Sequence, residues 1–153
     1  MPLKLILMPI DIDAYNSGRE QGLKTYCKPG NGYTNGRNGK TYHNVCPAGL
    51  EPGFLTAYKT GRKIYTSESK LQQLNRRIKK EKQGLEDLNK QLALFEAELV
   101  SDETDSERRI ELLAELREMS KNQGQLENQI KNLELDQARL EGQIDSLRAN
   151  SPY

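Results

Sequence analysis

The sequence predicts an all-α protein, a long antiparallel two-helix coiled-coil hairpin with a small glycine-rich, two-cysteine head expected to be disulfide-linked. Three observations predict it. Apolar residues recur three and four apart through Leu71, Leu74, Ile78, Leu85, Leu88, Leu92, Phe95 and Leu99, and again through Leu112, Leu116, Met119, Leu126, Ile130, Leu133, Leu140, Ile144 and Leu147. A mean spacing of about 3.5 residues keeps one seam facing a partner helix. Between the two series lies the polar run Ser101-Asp102-Glu103-Thr104-Asp105-Ser106, long enough to reverse the chain between neighbouring helices. The head holds both cysteines and most of the glycines.

Composition agrees with this. The chain has 153 residues, 35% of them apolar and 29% charged, which is lean for a thick core but ordinary for helices with one buried stripe. The net charge of +1 conceals an asymmetry: residues 1–65 hold nine Lys/Arg against four Asp/Glu, and residues 66–153 hold fourteen against eighteen. A mildly basic head favours anionic surfaces but lacks the clustered charge of a dedicated nucleic-acid binder, and no nucleic acid is expected as a partner.

The reading divides the chain into an irregular N-terminus (1–12), the head (13–52) and the hairpin (53–150, turn near 101–106). Met1 to Ile10 reads MPLKLILMPI. This apolar run is short, is broken by Pro9 and has no small-residue cleavage site after it, so no export signal is expected within it. No stretch approaches the roughly 20 apolar residues that cross a bilayer.

In the head, Asp13 is expected to cap a helix running to about Tyr26. Cys27 and Cys46 are the only cysteines. A disulfide closing their loop would contribute roughly 3 kcal/mol, a useful staple for so small a head. The alternative is a pair of reduced thiols in a cytosolic protein. Between them, Lys28-Pro29-Gly30-Asn31-Gly32 and Asn38-Gly39 read as turns, and Pro47 and Pro52 as breaks before a helix starting near Gly53 or Phe54.

Three segments echo one another: Tyr15-Asn16-Ser17-Gly18-Arg19, Tyr33-Thr34-Asn35-Gly36-Arg37 and Tyr58-Lys59-Thr60-Gly61-Arg62. On a helix, Tyr and Gly three apart share a face. The first helix, with Gly18 and Gly22 as a groove of small residues, is therefore expected to cross the start of the rod near Gly61, with Tyr15 and Tyr58 sealing the contact.

Polar residues interrupt both seams, Ser67 and Glu81 in the first helix and Gln123 and Gln137 in the second. If facing residue numbers sum to 204, Glu81 meets Gln123, Ser67 meets Gln137, Leu85 meets Met119 and Leu92 meets Leu112. A sum of 211 would instead face Glu81 with Ile130 and Ser67 with Ile144, and leave both glutamines against leucines. Each stranded polar group costs about 1–3 kcal/mol, less at a solvent edge. The first register is the expectation, with a capping box from Thr104 to Glu107 opening the second helix. The same stripes could also pair between chains, so the protein is read as a monomer or a weak homo-oligomer.

Little in the chain suggests chemistry. The single His43 with Cys27 and Cys46 falls short of the four ligands of structural zinc, and the Gly30-x-Gly32 and Gly36-x-x-Gly39 pairs lack the strand and Gly-Lys-Ser/Thr of a phosphate loop. No nucleophile has a base in plausible context. No catalytic residue, metal or cofactor is expected. Tyr33, Arg37, Tyr42 and His43 are the candidate binding surface of the head. The basic run Arg76, Arg77, Lys79, Lys80 and Lys82 reads as a solvated face open to an anionic partner.

Finally, Gly18-Arg19-x-x-Gly22-Leu23-x-x-Tyr26-Cys27, Asn31-Gly32-Tyr33-x-x-Gly36, Tyr42, Val45-Cys46-Pro47 and Leu50-Glu51-x-x-Phe54-x-x-x-Tyr58-x-x-Gly61-Arg62 resemble a family of small Gram-negative envelope lipoproteins known as domain of unknown function 2799. The resemblance covers about residues 13–148. It implies an exported, periplasmic protein, lipid-anchored by an N-terminal cysteine, and it implies no activity. Residues 1–10 contain no cysteine and no lipobox, so the expectation is a start placed too late or a truncated form, with the membrane met only through that missing anchor. The function expected is a non-enzymatic envelope module that docks an unknown protein or envelope partner. The alternatives are a cytosolic coiled-coil adaptor and a glycan-binding envelope protein.

Overall fold

A computed structural model describes residues 9–153, and the expectation that Met1–Ile10 lacks an export signal lies almost wholly outside them. Among the described residues there are four helices and no strand: α1 (Ile12–Tyr26), α2 (Pro29–Arg37), α3 (Glu51–Val100) and α4 (Ser106–Ala149). Among the described residues no helix is long and apolar enough to cross a membrane. The chain forms two compact units, Met1–Thr66 with Asn150–Tyr153, and Ser67–Ala149. The head unit thus takes in the first turns of α3 as well as the segment before it.

In the head, α1 is capped by Asp11, whose carboxylate accepts from the Ala14 amide at 3.0 Å, two residues before the expected cap. α2 replaces the turn expected over 28–32, while the turn expected at Asn38-Gly39 follows it. Pro29 stands in its first turn, where a missing N–H costs nothing, and Lys28 before it is extended, as a residue preceding proline prefers. Three glycines in a nine-residue helix run against propensity by about 1 kcal/mol each, so packing must supply the reason.

Gly32 and Gly36 supply it. Both are buried, and a Cβ at Gly32 would strike the Phe54 carbonyl of α3. A Cβ at Gly36 would overlap the Tyr58 carbonyl and the Arg62 amide, while one at Gly61 would overlap the Tyr33 carbonyl and the Arg37 amide. The second and third echo segments therefore mate reciprocally, backbone to backbone. The crossing at Gly61 exists, but α2 makes it and not α1. Gly18 and Gly22 have no described atom within 4 Å of an added Cβ, and Tyr15 is exposed. Sequence could not tell which copy of the echo would be used.

α3 begins at Glu51, whose amide and that of Leu50 both donate to the Pro47 carbonyl at 2.9 Å. Pro52, expected to break the chain, sits in the first helical turn, where the orphan amides make proline harmless.

The second unit is a two-helix hairpin, built on the expected seam. From Leu71 to Leu99 and from Leu112 to Leu147 every seam position is buried or half-buried, including Glu81, Gln123 and Gln137, and among the intervening residues only Glu98 is not exposed. The register is the other one. Gln123 Nε2 donates to Asn89 Oδ1 and Gln137 Nε2 to Asn75 Oδ1, both at 2.8 Å, while Gln129 Nε2 donates to Glu81 at 3.4 Å. These pairs sum to 212, 212 and 210, and Leu126 lies over Gly84, so facing residues sum to about 211. The pairings of Glu81 with Gln123 and of Ser67 with Gln137 are corrected. The physical reason lies at the seam's edge. Each glutamine faces a leucine but turns its amide outward to the asparagine beside that leucine, so the stranding penalty assigned to this register is not incurred.

The bend differs by one residue from the expected capping box. Asp105, not Thr104, caps α4, its Oδ1 accepting from the Arg108 amide at 2.8 Å. Thr104 closes α3 instead, donating its hydroxyl to the Glu98 carbonyl at 2.6 Å. Arg109, at a position that would continue the first seam, donates to the Ser101 and Thr104 carbonyls at 3.0 Å.

Candidate functional site

The two cysteines lie in a buried cluster of the head. Cys27 and Cys46 are joined in a disulfide with Cα atoms 5.7 Å apart. Cys27 is only 1% exposed, and the bridge packs with the buried Phe54 against Leu23, Tyr42 and Tyr58. The Phe54 ring takes the Tyr42, Tyr26 and Tyr58 rings at centroid distances of 5.0, 5.4 and 6.4 Å. Such ring contacts add to simple area burial. Chain placement follows from the helices: Cys27 is the C-cap of α1, and Phe54 and Tyr58 fall one turn apart on α3.

Tyr42 ties this core together. Its hydroxyl accepts from the Cys46 amide and donates to Glu51 Oε1, both at 3.0 Å. Burial pushes its phenol above the ordinary 10.0, and Glu51 adds to this, while the Cys46 amide acts in the opposite direction. Around it, Tyr58 donates to the Lys40 carbonyl at 2.8 Å and the Arg62 guanidinium donates to the Gly39 carbonyl. Gly39 has a φ of +69° and lies under the Tyr65 ring, a left-handed position closed to a side chain on both counts.

The four residues expected to form a binding surface are thereby placed. Tyr33 and Arg37 are one turn apart on α2 and half-buried, and Tyr33 stacks on Tyr153 with centroids 5.4 Å apart. Tyr42 faces inward to the disulfide core, and His43 beside it is exposed. The described contacts thus draw Tyr42 and Tyr33 to different neighbours and do not gather the four into one cluster. Because Cys27 and Cys46 are bonded to each other, neither offers a thiolate to a metal. Sequence reading overlooked Phe54 as the centre of the aromatic cluster. It also overlooked Asn75 and Asn89, though the Leu74-Asn75 and Leu88-Asn89 pairs repeat at the fourteen-residue spacing of Gln123 and Gln137.

The depressions described on the hairpin are shallow. One of about 490 Å³ at the bend is lined by Glu98, Ser101, Thr104 and Arg108 among others. There the Arg108 guanidinium reaches Glu98 at 2.8 Å and Glu111 at 3.2 Å. Its hydrogen bond holds the Glu98 carboxyl below its ordinary 4.5. This set closes the bend, and its donors and acceptors are already matched to each other.

No curated protein and no solved structure matches the chain. The stretch that does match a family is residues 5–63, so it ends shortly after Gly61. The hairpin, into which the resemblance was expected to extend as far as 148, lies beyond it; heptads are shared by so many coiled coils that they carry little family information. The matched stretch holds both bridged cysteines, the mated glycines and the Phe54 cluster, and over this head the chain is similar to the family described as protein of unknown function (DUF2799).

Proposed function

We propose that the protein is a non-enzymatic interaction module of the bacterial periplasm, whose disulfide head docks a protein or envelope partner while the hairpin spaces or clamps it. The observation that carries this reading is the placement of the bridge. The Cys27–Cys46 disulfide is buried in a core cluster of the head and is not a surface accessory, so the head suits a compartment in which thiols oxidise and stay oxidised. The family match, which is confined to this head, supports treating it as the functional part. Tyr42 supports the same division of labour: both its hydrogen bonds are spent on the cysteine loop and on α3, so it serves the scaffold and is withdrawn from any glycan-stacking surface.

The test is thiol trapping in the native host. Cells are quenched in acid, alkylated before and after reduction, and fractionated by osmotic shock. A periplasmic module yields no alkylation before reduction, two alkylated cysteines afterwards, and release or membrane association outside the cytoplasm. Two free thiols in a cytoplasmic fraction would overturn the reading in favour of a cytosolic adaptor.

A further inference from the structure

Charge is segregated along the hairpin's first helix. Lys70 to Lys82 contains six Lys/Arg and one acid, whereas residues 83–100 contain one Lys and four acids. Pairing sharpens the contrast. Lys82, Lys90, Lys121, Arg139 and Arg148 each lie against a carboxylate, and Arg108 lies against three. Among the described residues Lys70, Arg76, Arg77, Lys79 and Lys80 have no such partner, and all five are exposed. Elsewhere in the hairpin Arg109, Arg117 and Lys131 lack one, and Arg109 is held by the Ser101 and Thr104 carbonyls of the bend. Five unneutralised cations thus occupy about 15 Å of helix. Three of them, Arg76, Lys79 and Lys80, border a shallow depression of about 520 Å³ that Gln83, Gly84 and a single acid, Asp87, complete.

The apolar residues of this stretch, Leu71, Leu74 and Ile78, all belong to the seam and are buried or half-buried, so nothing greasy is offered outward for insertion. No aromatic side chain lies between 70 and 83 to stack on a base, which single-stranded nucleic acid would require. What remains is a convex array of cations suited to a plane of phosphates, each head reaching a separate group. We propose that the outer face of α3 around Arg76, Arg77, Lys79 and Lys80 docks on the phosphate headgroups of an anionic bilayer leaflet. The attachment is electrostatic and peripheral, worth about a fivefold gain in partitioning per cation at low salt and fading within a Debye length.

Co-sedimentation of the full chain with vesicles tests this. Binding is expected to phosphatidylcholine vesicles containing about one third phosphatidylglycerol, and not to pure phosphatidylcholine. It is expected to fall at least tenfold when salt rises from about 50 to about 300 mM. The variant Arg76→Gln/Arg77→Gln/Lys79→Gln/Lys80→Gln is expected to lose more than a hundredfold while keeping its helical circular dichroism. A control that removes equal charge elsewhere, Lys90→Gln/Arg117→Gln/Lys121→Gln/Arg139→Gln, is expected to retain binding within a few fold. The proposal is overturned by equal binding to neutral vesicles, by undiminished binding of the first variant, or by an equal loss in the control. Patch-dependent binding to duplex DNA that outcompetes the vesicles would also overturn it.

Discussion

Tyr42 joins three parts of the head through one oxygen, and its ionisation reports on all of them. Burial places its pKa above the ordinary 10.0, so the native head holds this proton more tightly than the unfolded chain does. The sign follows by linkage. The contribution to stability is complete below about pH 10 and is lost as pH rises through the higher native value. Chemical denaturation between about pH 8 and pH 11 should therefore show an alkaline loss of head stability that Tyr42→Phe flattens. Because the variant also leaves the Cys46 amide and the Glu51 carboxylate without their partner, it should be less stable than the parent at pH 8 by about 1–2 kcal/mol. A parent whose stability does not change over that range would exclude this role for Tyr42. At the bend the logic is the reverse. Glu98 is held below its ordinary 4.5 by Arg108, so its contribution is present above that value and is lost on acidification.

At the scale of elements, the same motif supports opposite outcomes of one substitution. Gly36 of α2 is pressed on the α3 backbone, whereas Gly18 of α1 has open space among the described residues. Gly36→Ala should destabilise the head by about 1–3 kcal/mol through overpacking, and Gly18→Ala should stabilise it by up to about 1 kcal/mol through helix propensity. Thermal unfolding followed by near-ultraviolet dichroism of the tyrosine cluster separates the two. Equal effects would mean that the crossing is not where the structure places it. The contrast also shows where sequence is legible. The hairpin seam could be read because heptads encode burial directly, and the head disulfide because the chain has only two cysteines. α2 could not, because Pro-Gly-Asn-Gly has the composition of a turn and becomes helical only when α3 lies close enough to require glycine. Register could not either, because rating a buried amide as stranded ignores how far a glutamine reaches. The four residues expected at a binding surface share only chemical type, and packing commits Tyr42 elsewhere.

For the molecule as a whole, the register can be checked without a high-resolution method. With the native disulfide intact, Leu85→Cys combined with Leu126→Cys should form an intramolecular bridge in air, mapped by peptide mass spectrometry under non-reducing conditions. Leu85→Cys combined with Met119→Cys, one heptad away, should remain reduced; efficient bridging of that second pair would reinstate the discarded alignment. The edge amides carry a further consequence for folding. Asn75 and Asn89 stand fourteen residues apart, as do their acceptor-seeking partners Gln123 and Gln137. Slipping by one heptad severs both amide links, but slipping by two would restore one of them, Gln137 to Asn89 or Gln123 to Asn75. The misaligned hairpin to expect in refolding is therefore the double slip. Only the Arg108–Glu98 latch at the bend and the remaining ladder then distinguish the native zipper from its own kinetic trap.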